Sequence, residues 1–362
     1  MEKKLKSNIY VWGAAQYGIK IFDYFKSKDI ESRIKGFIDS NDERDGKNFL
    51  SKKIFAPNKL FLDDNNFNFL LDTTFVIAIL SPEGIKQVKK FLIDKGIKTE
   101  DIFHFSEFFK EPVYTNIQKE SLNEIKSKLI NGSQIFEKVI DARISGNWDF
   151  VKDYVKSKNC NHKEEYLKGF DFSRYEIILD LGTLDGFHSN LFKELSSSSA
   201  KVYSFDPLGE RKVKKKYIKE NIFYQEMGIS DTDGEFYFTE GPETSGGCNY
   251  ITKDKYAEES YLVKVKTIDT WVKDNKIENV SYIKTDIEGS DLDALVGAKT
   301  TIKKFKPDLS ICIYHCTEHM FQIPEYILSI NPSYFIWFDH YSESYEGSVL
   351  YCSENPPILN HN

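Results

Sequence analysis

The chain has little with which to build a cross-linked or membrane-borne protein. Its five cysteines, Cys160, Cys248, Cys312, Cys316 and Cys352, include no C-x-x-C pair. Cys312 and Cys316 stand four apart but have no second pair to complete a zinc site, so reduced, mostly buried thiols are expected. No apolar run approaches the length of a bilayer span. The opening residues, Met1-Glu2-Lys3-Lys4-Leu5-Lys6, lack the apolar stretch of a secretion signal. The expectation is a cytoplasmic protein with no membrane span. Positive charge is also in deficit. Lys and Arg number 49 against 56 Asp and Glu, a net charge of −7. That disfavours nucleic acid as the main partner, because phosphate binding needs a positive field. The local exception, Arg211-Lys212-Val213-Lys214-Lys215-Lys216, is expected on the solvated face of a surface helix.

What is present is a strand, a tight loop and a helix in that order. Ile177-Ile178-Leu179-Asp180-Leu181 runs into Gly182-Thr183-Leu184-Asp185-Gly186, and Leu191, Phe192 and Leu195 follow at helical spacing. Such a run reads as a buried parallel strand, beyond whose C-terminal end ligands of open α/β sheets bind. The loop is neither G-x-G-x-x-G nor a phosphate loop ending in Gly-Lys-Ser/Thr. Its leading acid suits a ligand with hydroxyls and a cation better than one with phosphates. S-adenosylmethionine carries both a ribose and a sulfonium-bearing amino acid, although an ordinary strand-to-helix turn would look the same.

The length of 362 residues allows two domains with proper cores. We expect a smaller Rossmann-like α/β domain over 1–110, a helical connector over 111–170 and a second α/β domain over 171–362. In the first, strands Asn8–Trp12, Ile34–Asp39 and Thr74–Leu80 alternate with helices, and Ile102 to Phe105 closes the unit. Gly13 and Gly18 mark its first turn, and Asp39 stands roughly where a ribose-binding acid would be. Ala15 replaces the middle glycine, so nucleotide binding and a purely structural turn are both open. The connector is helical from Ile117 to Lys158, broken at Ser145-Gly146-Asn147, and is expected to pack between the domains. Tyr166 and its neighbours are expected as a flap.

Further on, Lys201–Asp206 is a second strand ending in an acid. Asp206 could accept ribose hydroxyls, cap a helix with Pro207 at its first position, or do both. Ile222–Met227 is a third strand, after which Asp231 could edge an adenine. Glu235–Thr239 alternates as a half-buried strand, and the glycine-rich loop Gly241–Asn249 reads as a lid or a plain surface loop. Ser281–Gly289 ends in Lys284, Asp286 and Glu288, alternate residues that could converge on one pocket. Two carboxylates and an ammonium there can hold a sugar hydroxyl, take its proton or bind a divalent cation. A fifth strand, Asp308–Tyr314, delivers His315 to the same edge as a base or ligand. Tyr334–Asp339 and Gly347–Cys352 close the sheet as a hairpin.

These residues resemble the FkbM family of S-adenosylmethionine-dependent methyltransferases. The match lies in Leu179-Asp180-Leu181-Gly182-Thr183-Leu184-Asp185-Gly186, Phe205-Asp206-Pro207, Gly228-Ile229-Ser230-Asp231, Thr267-Ile268-Asp269 and Ile283-Lys284-Thr285-Asp286-Ile287-Glu288-Gly289, with Pro307 and Tyr314-His315 fitting members that act on sugars. It covers about the last half of the chain. The departures are Asp206 where a glutamate is usual, Met227-Gly228 for Ala-Leu, and Thr183-Leu184 for a smaller pair. The resemblance implies a class I methyltransferase fold and O-methylation, often on glycans. Gly182 and Gly186 would then shape the cofactor loop, Asp180 would face the methionine end and Asp206 the ribose. Asp286 or His315 would deprotonate a sugar hydroxyl, with Lys284 and Glu288 positioning base and acceptor and a divalent ion as an optional addition. A nucleotide sugar or glycan precursor is the expected substrate, and a homo-oligomer is compatible with the sequence. The rivals are a nicotinamide-dependent oxidoreductase using Gly13 and Gly18, and an inactive binding or assembly protein.

Overall fold

Apolar runs separated by glycine turns pair into three sheets in the computed structural model of this chain, which describes residues 5–61, 70–79, 82–108, 116–145, 147–158, 164–240 and 249–358. Two compact units result. One comprises Met1–Val113 with two later returns, Thr239–Gly246 and Asp254–Tyr261. The other comprises Tyr114–Phe238, Gly247–Lys253 and Leu262–Asn362. The Glu111-Pro112-Val113 boundary, Cys160 and the Gly241–Cys248 part of the expected lid lie outside the described residues.

In the first unit the strands are β1 (Asn8–Trp12), β2 (Ile34–Ile38), β3 (Asn48–Phe49), β4 (Lys52–Phe55), β5 (Thr73–Ile77) and β6 (Ile102–His104). They lie in the order β3-β4-β2-β1-β5-β6, parallel except for the β3–β4 hairpin. The third expected strand begins at Thr73 and ends at Ile77; Leu80 lies outside the described residues. β1 and β5 are apolar on both faces because helices cover both, Gln16–Lys26 among them. The β3–β4 hairpin was not read from the sequence. Both strands are too short to carry a period.

The second unit is built on a seven-stranded sheet. Its strands are β7 (Ile177–Leu181), β8 (Lys201–Asp206), β9 (Ile222–Glu226), β14 (Tyr282–Thr285), β15 (Asp308–Cys312), β16 (Phe335–His340) and β17 (Ser348–Ser353). Their order is β16-β17-β15-β14-β7-β8-β9, all parallel except β17, which lies antiparallel to both β15 and β16. This is the class I methyltransferase arrangement, with β7 and β14 adjacent at its centre. A four-stranded sheet, β10 (Gly228–Ile229), β11 (Gly234–Thr239), β12 (Tyr250–Thr252) and β13 (Tyr261–Lys266), runs in the order β10-β13-β11-β12. β11 does not alternate: its exposure falls steadily from Gly234 to Thr239.

Several local expectations change. The connector is three helices, Asn116–Lys128, Ser133–Ser145 and Asp149–Ser157, and it belongs to the second unit. Ile125, Phe136, Val139 and Val151 join the core that contains Leu181, Ile283 and Phe338. An additional break falls at Gly132, whose φ of +82° and approach to the Phe338 carbonyl admit no side chain. After β7, the helix Phe187–Leu195 buries Ser189, Asn190 and Phe192 while Leu195 is exposed. Its inner face is polar because a buried carboxylate beneath it needs a donor. The basic run forms 3-10 turns at Gly209–Lys212 and Lys215–Tyr217 instead of an α-helix. Asp206 therefore caps a turn, accepting from Leu208 N at 2.9 Å, and Pro207 opens no helix. The Thr267-Ile268-Asp269 segment supplies two caps. Thr267 caps its own helix through Thr270 N, and Asp269 accepts from Thr300 N and Thr301 N.

Candidate active site

The centre of the second unit is a buried ion pair. Asp180 is fully buried, and its Oδ1 lies 3.1 Å from Lys284 Nζ on the neighbouring strand. Its Oδ2 accepts the Ser189 hydroxyl at 2.5 Å, and Ser189 in turn accepts that of Ser204. Lys284 also donates to the Gly182 carbonyl at 2.6 Å. Burial alone would lower the lysine, but Asp180 and Asp286 outweigh it and hold its pKa near 12. A charge buried this deeply is tolerated only when paired and hydrogen-bonded. Lys284 thus holds the glycine turn onto β14 instead of sharing an open pocket with Asp286, and Asp180 sits beneath the turn.

The turn itself is tight. Gly182 has φ +92°, and a Cβ there would lie 1.9 Å from the Asp286 carbonyl oxygen. Gly186, at φ +84°, starts the next helix in a conformation that L residues avoid. Leu184 between them has φ +50° and is 54 % exposed, strained and uncovered at once. Thr183 is 4 % exposed, and its hydroxyl has no partner among the described residues. Asp206 faces the same turn, its Oδ2 accepting from Leu184 N at 3.3 Å. Burial raises its pKa, against the two backbone hydrogen bonds. Asp231 lies after β10, with its Oδ1 accepting from the Ser230 and Thr232 hydroxyls and Lys253 3.7 Å away.

Just past β14, Asp286 collects donors from three directions. Tyr166 donates to its Oδ2 at 2.9 Å, Tyr314 donates to its Oδ1 at 2.9 Å, and His315 Nε2 lies 3.4 Å from Oδ1. Its side chain is still 27 % exposed. Burial would raise the carboxyl, but Lys284, His315 and the two tyrosines bring it below the usual range. His315 Nδ1 is 3.0 Å from Asp291 Oδ2, and Asp291 also accepts from Ile287 N and Gly289 N. Burial depresses the imidazole, yet Asp291, Asp286 and Glu288 overcome it and lift the pKa to about 9. Glu288 lies 3.7 Å from His315 Nε2, at φ +54°. Burial, partly opposed by His315 and reinforced by Asp286 and Asp291, pushes its pKa to about 8.

The optional divalent cation would have to sit among Asp286, Glu288 and His315, where the two imidazole nitrogens already face carboxylates, Nδ1 towards Asp291 and Nε2 towards Asp286 and Glu288. Among the described residues no group of three or more His, Cys, Asp or Glu is arranged to hold one.

Asp291 was not read as a site residue, and Tyr166 was read only as part of a flap over the site. Tyr166 is a core residue, not a flap: it is 2 % exposed, and its carbonyl accepts from Tyr282 and Ser310. Asp291 looked like an ordinary first-turn acid. The connector also reaches the site, because Arg143 donates to the Tyr314 and Tyr345 carbonyls. Asp339 on β16 binds both Lys158 and Lys168, anchoring the segment that carries Glu165 and Tyr166.

Residues 180–335 match the model of the methyltransferase FkbM domain. The match covers less than half of the chain and supports a methyltransferase, with β7, β14 and the site above lying in or beside the matched segment. The crystal structure of methyltransferase FkbM from Methylobacillus flagellatus KT is similar in fold, with a TM-score of 0.51 and 16 % identity over 97 % of this chain and 91 % of that one. An O-methyltransferase from Bacillus cereus, solved with SAH, is 12 % identical over 67 % of this chain and 99 % of its own. Its TM-score of 0.28 makes that likeness too loose to bear on this fold. No curated protein matches the chain.

The first unit offers a contrasting acid. Asp39, after β2, is bound at Oδ2 by Arg44 at 2.7 Å and at Oδ1 by Asn41 N. Arg44 is 7 % exposed and also holds the Ala14 carbonyl and Glu259. Gly13 and Gly18 are explained by packing: added Cβ atoms would meet the Ala78 and Gly13 carbonyls at 2.5 and 2.3 Å. A guanidinium stands on the carboxylate that a nicotinamide cofactor's ribose would need, which counts against the oxidoreductase reading.

Proposed function

We propose that this FkbM domain methylates a sugar hydroxyl of a nucleotide sugar or glycan precursor. The observation that carries the reading is Asp286: an ionised, partly exposed carboxylate held by Tyr166, Tyr314 and His315 against the glycine turn. When bound, the cofactor supplies an electrophilic methyl group on a sulfonium. Gly182, Gly186 and Thr183 line its turn, and Asp206 accepts from its ribose hydroxyls. Asp286 keeps lone pairs beyond its three donors, so it accepts the hydroxyl of the acceptor and takes its proton as the oxygen attacks in line. His315, protonated at neutral pH, cannot be that base; it steadies the charge on Asp286. Orientation by Tyr166, Tyr314 and Glu288 supplies much of the rate, because a sugar hydroxyl is a very weak acid. The polar lining suits a polyhydroxyl acceptor better than an apolar one.

Among the described residues no helix is long and apolar enough to cross a membrane. The buried thiols Cys312 and Cys352 suit a reducing cytoplasm, where such precursors are made. Incubation with S-adenosylmethionine and a panel of nucleotide sugars and glycans should yield S-adenosylhomocysteine with matching acceptors. Asp286→Asn should cut turnover by about a hundredfold or more while leaving cofactor binding within a few-fold. Near-normal turnover in that variant would remove Asp286 from the mechanism.

A further inference from the structure

One charged side chain at the edge of the site has no part in the chemistry above. Arg143 stands in the last turn of the helix Ser133–Ser145, upstream of the matched segment. That helix is fixed on the sheet. Phe136, Val139 and Ala142 are buried in the core, and the Phe136 ring meets the Phe338 ring of β16 edge-on at 5.1 Å. From this platform a single nitrogen of Arg143, Nη2, donates to the Tyr314 carbonyl at 2.8 Å and to the Tyr345 carbonyl at 2.6 Å. Tyr345 lies in the turn that joins β16 to β17, where Tyr341 N donates to the Gly347 carbonyl at 2.9 Å. Tyr314 lies just past β15. Ile313 N still donates to the Ser348 carbonyl at 3.1 Å, and Tyr314, the next residue, turns its carbonyl to Arg143.

We propose that Arg143 is a positioning residue for methyl transfer, setting the Tyr314 hydroxyl on Asp286. This rests on the methyltransferase reading above. The Tyr314 hydroxyl donates to Asp286 Oδ1 at 2.9 Å, and its ring lies on that of His315 with the centroids 4.1 Å apart. His315 is itself held by Asp291. A tyrosine has two side-chain torsions, so with the ring packed on His315 the hydroxyl follows the main chain. The main chain is placed by a guanidinium carried on a packed helix. Its bonds to carbonyls are charge-assisted, and its planar group loses little freedom in making them. Asp286 presents to the acceptor the lone pairs that Tyr166, Tyr314 and His315 leave open, so the directions of those three donors aim the base. A misplacement of about 1 Å at a reacting group costs about a hundredfold in rate. The effect of Arg143 therefore falls on the chemical step, not on the hold on the cofactor.

The first measurement needs no acceptor. The full chain is isotope-labelled at the tyrosine ring carbon that bears the hydroxyl, and the magnetic resonance signal of Tyr314 is identified by its loss in Tyr314→Phe. Asp286→Asn should move that signal, because the phenol loses its anionic acceptor. Arg143→Met should move it in the same direction and leave the Tyr166 signal, identified likewise, near its place. Arg143→Lys, whose one nitrogen still offers donors to both carbonyls, should bring the Tyr314 signal most of the way back. A Tyr314 signal that ignores Arg143→Met would overturn the proposal, as would a shift of the tyrosines in general. So would a Tyr314 signal that ignores Asp286→Asn, whether or not the Arg143 variants fold. In the methyl-transfer assay, Arg143→Met should lower kcat about ten- to a hundredfold with KM for S-adenosylmethionine within a few-fold. Added to Tyr314→Phe, it should cost less than about threefold. Losses that simply multiply would show that Arg143 does not act through this hydroxyl. Absence of methyl transfer to any acceptor by the wild-type chain would instead overturn the methyltransferase reading, and the tyrosine signals would still decide whether Arg143 sets the hydroxyl.

Discussion

Two carboxylates end the second strand of two Rossmann-like sheets in this chain, and they are held in opposite ways. Asp39 is neutralised from within by Arg44, and its second oxygen is capped by a backbone amide. Among the described residues Asp206 accepts hydrogen bonds from the amides of Leu184 and Leu208, and burial raises its pKa against them and the more distant charges of Lys284 and Lys212. A βα turn with glycines and a following acid is thus a scaffold, not a function. What separates a structural acid from a ligand-binding one is whether the protein supplies its own cation. In the second unit the lysine that could have filled this role is held by Asp180, one layer below.

This contrast can be broken most sharply at Asp206. Asp206→Ala should lower affinity for S-adenosylhomocysteine more than a hundredfold, because bidentate ribose contacts have no substitute nearby. Asp39→Ala should leave that affinity unchanged. Equal losses would mean that the first unit contributes to the cofactor site after all. Next in size is stability. Asp39→Ala takes one of two carboxylate partners from the buried Arg44 guanidinium, leaving Glu259, and should cost the first unit about 1–2 kcal/mol in denaturant unfolding. Adding Arg44→Met should recover much of that loss, and failure to recover would assign Arg44 a role beyond neutralising Asp39.

The smallest effect is in pH. It concerns the Asp286–His315–Asp291 group of the second unit. The pKa of His315 is raised in the folded state to about 9, so its contribution is fully present below its ordinary value near 6.5 and is lost as pH rises through about 9. The midpoint of thermal unfolding should therefore fall between pH 8 and 10, and His315→Asn should flatten the decline. A profile identical in the two proteins would mean that His315 is not protonated in the native state.

Much of the second unit could be read in advance because its signals are local. The order strand, glycine turn, helix is written in consecutive residues, and Lys284-Thr285-Asp286-Ile287-Glu288-Gly289 marks the end of β14 in six. What escaped depends on distance along the chain. Tyr166 meets Asp286 across 120 residues, and nothing in its neighbourhood marks it. Lys284 and Asp286 alternate in sequence, yet one is buried under Asp180 while the other lies past the strand end, where alternation no longer applies. Ser189 looked like an interruption in an apolar face and proved to be the donor that Asp180 requires. The basic run missed its helix because Asp206 and Pro207 start a turn that the following residues continue as 3-10 segments.

Asp339 carries a consequence of its own. Its carboxylate receives Lys158 from the end of a connector helix and Lys168 from the segment before β7, with Tyr154 as a third donor. It is therefore a two-point tether for the segment that carries Tyr166. Cutting either tie would widen the range of positions open to that segment and dilute the effective concentration of the Tyr166 hydroxyl at Asp286, an entropic loss needing no change in Asp286 itself. A side chain on the edge strand, separated from the glycine turn by three intervening strands, would then set how firmly Asp286 is held.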